Sequence, residues 1–114
     1  MDNASKIAAL NDAFRRSGTG GRIVLTVGIQ ALGQGAVREV IAKVRAFNTF
    51  TEGNDPYGEH DFGAIEFSGD KIFWKIDYYD KALEYGSPDP ANPAKTCRVM
   101  TIMMAEECAP QALS

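Results

Sequence analysis

Two runs of alternating apolar residues flank Ser68-Gly69-Asp70, and nothing else in the chain limits its fold as tightly. Ile65 and Phe67 alternate with Ala64 and Glu66 before the turn, while Ile72, Trp74, Ile76 and Tyr78 share one face after it. Successive side chains of a strand point to opposite faces, so this pattern describes a β-hairpin with one face buried against a core. A two-residue loop at Gly69-Asp70, with glycine leading a type II′ turn, places Phe67 opposite Ile72 and Ile65 opposite Trp74. The same register puts Asp61 opposite Tyr78 and Phe62 opposite Asp77.

The remaining elements follow from period and punctuation. Residues 4–16 read as a helix capped by Asn3, with Ile7, Leu10 and Phe14 at three- and four-residue steps, ended by Ser17-Gly18-Thr19-Gly20-Gly21. Residues 22–29 read as a strand with Ile23, Leu25, Val27 and Ile29 on one face. Gly33-Gln34-Gly35 then breaks the chain before a second helix over 36–48, striped by Val37, Val40, Ile41, Val44 and Phe47. These glycines lack the third glycine of a dinucleotide fingerprint and the Lys-Ser/Thr of a P-loop, so a turn accounts for them better than a nucleotide site. A Pro-rich crossover over 86–94 leads into Thr96–Met104, the most apolar strand and the expected centre of the sheet. Trp74, Met100, Met103 and Met104 are assigned to the core. The short tail from Ala105 is expected to fray, with a helical turn over Ala105–Cys108. The expected fold is a single α+β domain over 1–114: two helices packed on a largely antiparallel four-stranded sheet, in the order α-β-α-β-β-β.

Composition narrows the setting. The 114 residues are 45% hydrophobic and 24% charged, with a net charge of −3 and a pI near 5.1. That balance disfavours nucleic acid as a partner, since a phosphate backbone calls for a basic face. The N-terminal stretch has no uninterrupted apolar segment of the signal-peptide kind, and no apolar run is long enough to span a bilayer. Cys97 and Cys108 lack CxxC spacing and read as reduced thiols of a cytoplasmic protein.

The chemistry concentrates between Asn54 and Asp80, which hold the only His, the only Trp and many acids. At the open end of the hairpin Glu59, His60 and Asp61 emerge beside Asp77 and Asp80, and the Asn54-Asp55-Pro56 loop feeds the same place. Tyr57, Tyr78 and Tyr79 join them. Glu59-His60-Asp61 offers ligands of the kind that hold zinc, manganese or iron, and His60 beside a carboxylate could act as a general base. Yet no HExxH spacing is present, and Asp77 is followed by Tyr78-Tyr79 rather than by the lysine of a nuclease pattern. Asp and Asn also cap turns, and a lone His can brace a loop. Glu59, His60, Asp61 and Asp77 are therefore the catalytic candidates, with no metal or cofactor assigned. Ser87 and Cys97 lack an activating base and are set aside as nucleophiles. On the other strand face Phe73, Lys75, Asp77 and Tyr79 mix aromatics with charge, as binding surfaces do. Lys75 and Asp77 can pair there, with Arg98 as a further cation.

The segments LNDAFR (10–15), LTVGIQAL (25–32), NDPYGEHDFG (54–63), WKIDYYD (74–80), SPDP (87–90) and TCRVMTIMMAEE (96–107) together resemble a bacterial family, domain of unknown function thirty-seven sixty-eight. The resemblance implies a short stand-alone cytoplasmic bacterial protein, often carried among plasmid or genomic-island genes, and supplies no reaction, cofactor or catalytic residue. Gene company of that kind implies accessory, plasmid-maintenance or anti-defence roles. The leading expectation is a non-enzymatic interaction protein of the anti-defence or regulatory-inhibitor kind. Its binding set is Asn54, Asp55, Tyr57, Glu59, His60, Asp61, Lys75, Asp77, Tyr79 and Asp80. The expected partner is another protein, with a homodimer through a sheet edge or the Phe73/Tyr79 face compatible with it. The competing expectation is a hydrolase or metal-dependent enzyme centred on His60.

Overall fold

The computed structural model describes residues 2–107 of the chain. Helix α1 (Asn3–Ser17) is capped by Asp2, not Asn3: the Asp2 carboxylate accepts from the backbone N–H of Ser5 at 2.7 Å. It ends where Gly18, at φ 76°, donates its N–H to Phe14 O. Its buried face carries Ile7, Ala8 and Phe14, and also the polar Asn11 and Arg15.

Strand β1 (Gly21–Leu25) is shorter than expected, and the chain then forms a one-turn helix α2 (Val27–Gln30) before α3 (Gln34–Ala46). The Glu107 carboxylate causes the turn. It accepts from Thr26 Oγ1 at 2.6 Å, Gly28 N at 2.9 Å and Met104 N at 2.8 Å, which pulls the chain out of the extended state. Burial opposes ionisation of this carboxyl, but those three bonds outweigh it and hold Glu107 below the ordinary carboxylate range. Val27, assigned to the buried strand face, is instead 81% exposed.

Strands β2 (Phe62–Phe67) and β3 (Asp70–Tyr79) form the hairpin, and a short 3₁₀ turn (Pro93–Lys95) precedes β4 (Cys97–Met104). The sheet order is β1-β4-β3-β2. The α+β class stands, as does the largely antiparallel sheet with β4 inside it. The order is corrected to α-β-α-α-β-β-β with the 3₁₀ turn before the last strand, and β1 runs parallel to β4. A parallel neighbour follows from the long excursion that separates the two strands.

The hairpin register also differs. Phe67 pairs with Asp70, Ile65 with Ile72 and Phe62 with Lys75, a shift of two residues. The turn residues are Ser68 and Gly69, both at positive φ (51° and 85°), which is type I′ geometry rather than II′. A shift of two preserves the face of every side chain, so Ile72, Trp74 and Ile76 are buried as the alternation requires. Asp61 consequently lies opposite Ile76, whose N–H donates to Asp61 O at 2.8 Å, not opposite Tyr78.

One apolar cluster unites the helices with one face of the sheet: Phe14, Ile29, Val40 and Val44 against Ile72, Trp74, Ile76, Met100, Ile102 and Met104. Each edge strand has a backbone carbonyl occupied by a side chain. Lys43 Nζ donates to Glu66 O on β2, and Gln30 Nε2 donates to Leu25 O on β1, both at 2.8 Å. Ala105–Glu107 is helical; the expectations for Cys108 and the tail beyond it lie outside the described residues.

Candidate functional site

Helix α1 supplies the polar residues around which the 54–61 loop is built. Asn11, fully buried, donates from Nδ2 to Glu59 O at 2.9 Å and to Tyr78 Oη at 2.8 Å. Its Oδ1 accepts from Arg98 Nε at 2.7 Å. Tyr78 Oη donates to Glu59 Oε1 at 2.9 Å, and Arg98 Nη2 donates to Pro90 O at 2.6 Å. The Arg98 guanidinium also lies over the Tyr78 ring, 5.2 Å from its centroid. Helix, loop, crossover and two central strands thus share one polar chain. Burial pushes the Tyr78 phenol far above its ordinary range, with the Glu59 carboxylate adding to the shift. Burial also lowers Arg98, against the pull of Tyr78 and Glu59.

A second network runs through His60. Asp55, itself buried, accepts the N–H groups of Glu59 and His60 at one oxygen, both at 3.1 Å, and so shapes a turn in which His60 sits at φ 56°. The imidazole stacks on Phe50, with centroids 3.9 Å apart and planes within 2°. Its Nδ1 is 3.1 Å from both oxygens of Asp12, and its Nε2 faces Asp55 Oδ2 at 3.7 Å. Arg15 completes the arrangement: Nη1 reaches Asp12 at 2.9 Å, Nη2 donates to Phe47 O at 2.8 Å, and the guanidinium covers Trp74 and Phe50. Arg15 Nε and Trp74 Nε1 are buried without a hydrogen-bond partner among the described residues, and their cation–π contact partly offsets that cost. Gly63 is required here because a Cβ would meet Trp74 Cε2 at 2.7 Å and Phe47 Cε1 at 2.9 Å.

The residues singled out in the sequence fall into three groups and one isolated side chain. Asp55, Glu59 and His60 are engaged in these two networks. Asn54 and Asp80 shape turns: Asn54 bonds Thr51 N and Thr49 O, and Asp80 accepts from Glu84 N. Asp61, Lys75, Asp77 and Tyr79 remain at the sheet, with Lys75 Nζ 3.1 Å from Asp77 Oδ2; Tyr57 stands alone at 80% exposure. Asp61 has no side-chain hydrogen bond to another described residue. Burial, then the nearby Glu59, Asp55 and Asp77 carboxylates, raise its carboxyl above the usual range, against a bond from its own backbone N–H.

Sequence reasoning missed Asn11, Asp12, Arg15, Phe50 and the buried role of Arg98. The available signal was positional: Asn11 and Arg15 recur with Ile7 and Phe14 on the buried stripe of α1, where a polar residue needs a partner. Chemically, the cluster can brace the loop. Asp12 at Nδ1 orients the ring as in a His–Asp dyad and leaves Nε2, which faces Asp55 Oδ2 at 3.7 Å, as the nitrogen that could take a proton. Among the described residues no three of His, Cys, Asp and Glu are grouped to hold a metal ion. Two open clefts, of about 580 and 600 Å³, run along α3 rather than beside His60.

A family model described as protein of unknown function (DUF3768) matches residues 25–107, well over half of the chain, and the chain belongs to that family. No curated protein and no solved structure matches it.

Proposed function

We propose that this DUF3768 member is a non-catalytic binding protein that presents the helix-free face of its sheet to another protein. The observation that carries this is the one-sided packing of the helices. Among the described residues the opposite face exposes Val24 (45%) and Tyr79 (36%). It also bears Phe62 and Phe73, ring centroids 5.2 Å apart, and the Lys75–Asp77 pair. Aromatic residues bordered by charge are the composition of protein-binding surfaces. Lys75, Asp77 and Tyr79, members of the charged and aromatic set of the sequence, lie on this face. A regulatory or anti-defence inhibitor in a bacterial cytoplasm is the role that fits a small domain working by contact alone. A second copy of the chain is the alternative occupant.

Native mass spectrometry of protein purified without chelator from its own cells tests this, run on the wild type and on a Lys75→Glu/Tyr79→Ala variant with unchanged circular dichroism. A stoichiometric protein partner, or a dimer, should be present in the wild type and absent from the variant. A partner retained by the variant would overturn the assignment of this face. A stoichiometric metal lost on His60→Ala would overturn the non-catalytic reading.

A further inference from the structure

The helical side of the molecule, away from the sheet face just discussed, carries a different surface. On α3 the residues Gln34, Val37, Arg38, Ile41, Ala42 and Arg45 line two open clefts that adjoin at Arg38. The exposed walls of both are mainly apolar, supplied by Val37, Ile41 and Ala42 beside the core residues Val40 and Val44. Arg38 and Arg45 are seven residues apart on one side of the helix, about 10 Å along its axis. Neither forms a salt bridge among the described residues, although the chain as a whole is acidic with a net charge of −3. Glu39 lies on the opposite flank with Lys43, which is taken up by Glu66 O. The Arg45 guanidinium lies beside Gly18: a Cβ there would meet its Cζ at 3.5 Å. α1 also ends there, and its partial negative charge favours a cation.

We infer that the α3 clefts form a second docking surface for an acidic, amphipathic segment of a partner protein. Two carboxylates of that segment sit on Arg38 and Arg45, an apolar side chain between them enters the cleft at Ile41, and another beyond Arg38 enters at Val37. Charge complementarity selects this occupant: two forked cations without carboxylates, flanking apolar walls, match a peptide with acids bracketing apolar residues. A nucleic-acid strand matches less well, because the walls between the arginines are aliphatic and offer no aromatic platform for bases.

The test is a selection from a random-sequence peptide library displayed against the full wild-type chain, counter-selected on Arg38→Glu/Arg45→Glu. Enriched peptides should be acidic with apolar residues between the acids. In fluorescence anisotropy their affinity should fall by about tenfold or more on the charge-reversed protein. They should bind Lys75→Glu/Tyr79→Ala unchanged, which separates this surface from the sheet face. Enrichment of uncharged or basic peptides, no enrichment, or equal binding to the charge-reversed protein would overturn the inference. So would a labelled single-stranded oligonucleotide that outcompetes the selected peptides through the same arginines.

Discussion

Arg98 Nε donates to Asn11 Oδ1 at 2.7 Å, joining two buried side chains 87 positions apart in the chain. The pair fixes α1 to the start of β4, and through Tyr78 and Glu59 it fixes the 54–61 loop to both. Asn11→Leu leaves the Arg98 guanidinium buried with one partner missing, and should lower unfolding stability in urea by about 3 kcal/mol. Adding Arg98→Met removes the orphaned charge. The double variant should therefore be less destabilised than the sum of the singles, and strict additivity would show that the two residues do not act together.

Tyr78 gives the fold an alkaline limit. Its folded ionisation lies far above the ordinary phenol value of 10.0, because of burial and then Glu59. The folded state thus keeps a proton that the unfolded chain loses near pH 10, and stability must fall as pH rises beyond that point. Below it the contribution is fully present. Tyr78→Phe should cost about 1–3 kcal/mol at neutral pH by removing the bonds to Asn11 and Glu59. It should also flatten the alkaline slope, which chemical unfolding across a pH series would detect.

Much of the fold is legible in the sequence because period alone decides it. Ile72, Trp74 and Ile76 alternate, and they are buried; Lys75 and Asp77 fall two apart on the other face, and they pair. The register was not legible, since a shift of two leaves the apolar pattern unchanged and only the backbone angles of Ser68 and Gly69 choose between alternatives. Nor was the end of β1. Val27 and Ile29 suit a strand by alternation, and what turns the chain is Glu107, 79 positions from Gly28. The site was half legible. The loop acids stand out by density, whereas Asn11, Asp12 and Arg15 belong to an ordinary-looking helix whose polar residues find partners only in three dimensions.

Asp61 should behave oppositely to a stabilising carboxylate. Burial and three neighbouring acids raise its folded ionisation above the ordinary value of 3.8, so the folded state disfavours its charge. Stability attributable to this group is present below that value and is lost as pH rises through the raised folded one. Asp61→Asn should therefore raise Tm by a few degrees at neutral pH and confer little at pH 3, where the wild-type side chain is already neutral. Equal effects at both pH values would assign the change to packing instead.

The hairpin turn offers a test free of tertiary contacts. Ser68 occupies the left-handed region at φ 51°, a conformation that costs a serine more than an asparagine or glycine. In a type I′ turn the Asn-Gly pair is preferred, so Ser68→Asn should stabilise the protein by about 0.5–1 kcal/mol without changing the pairing of Phe67 with Asp70. Gly69→Ala should do the reverse by about 1 kcal/mol. A Cβ at Gly69 meets no atom within 4 Å, so its cost can only come from the backbone at φ 85°. Thermal unfolding measures both. If Ser68→Asn were destabilising while Gly69→Ala stayed costly, the turn would have to be the II′ form centred on Gly69-Asp70, in which only Gly69 needs positive φ. The register would then move with it by two residues.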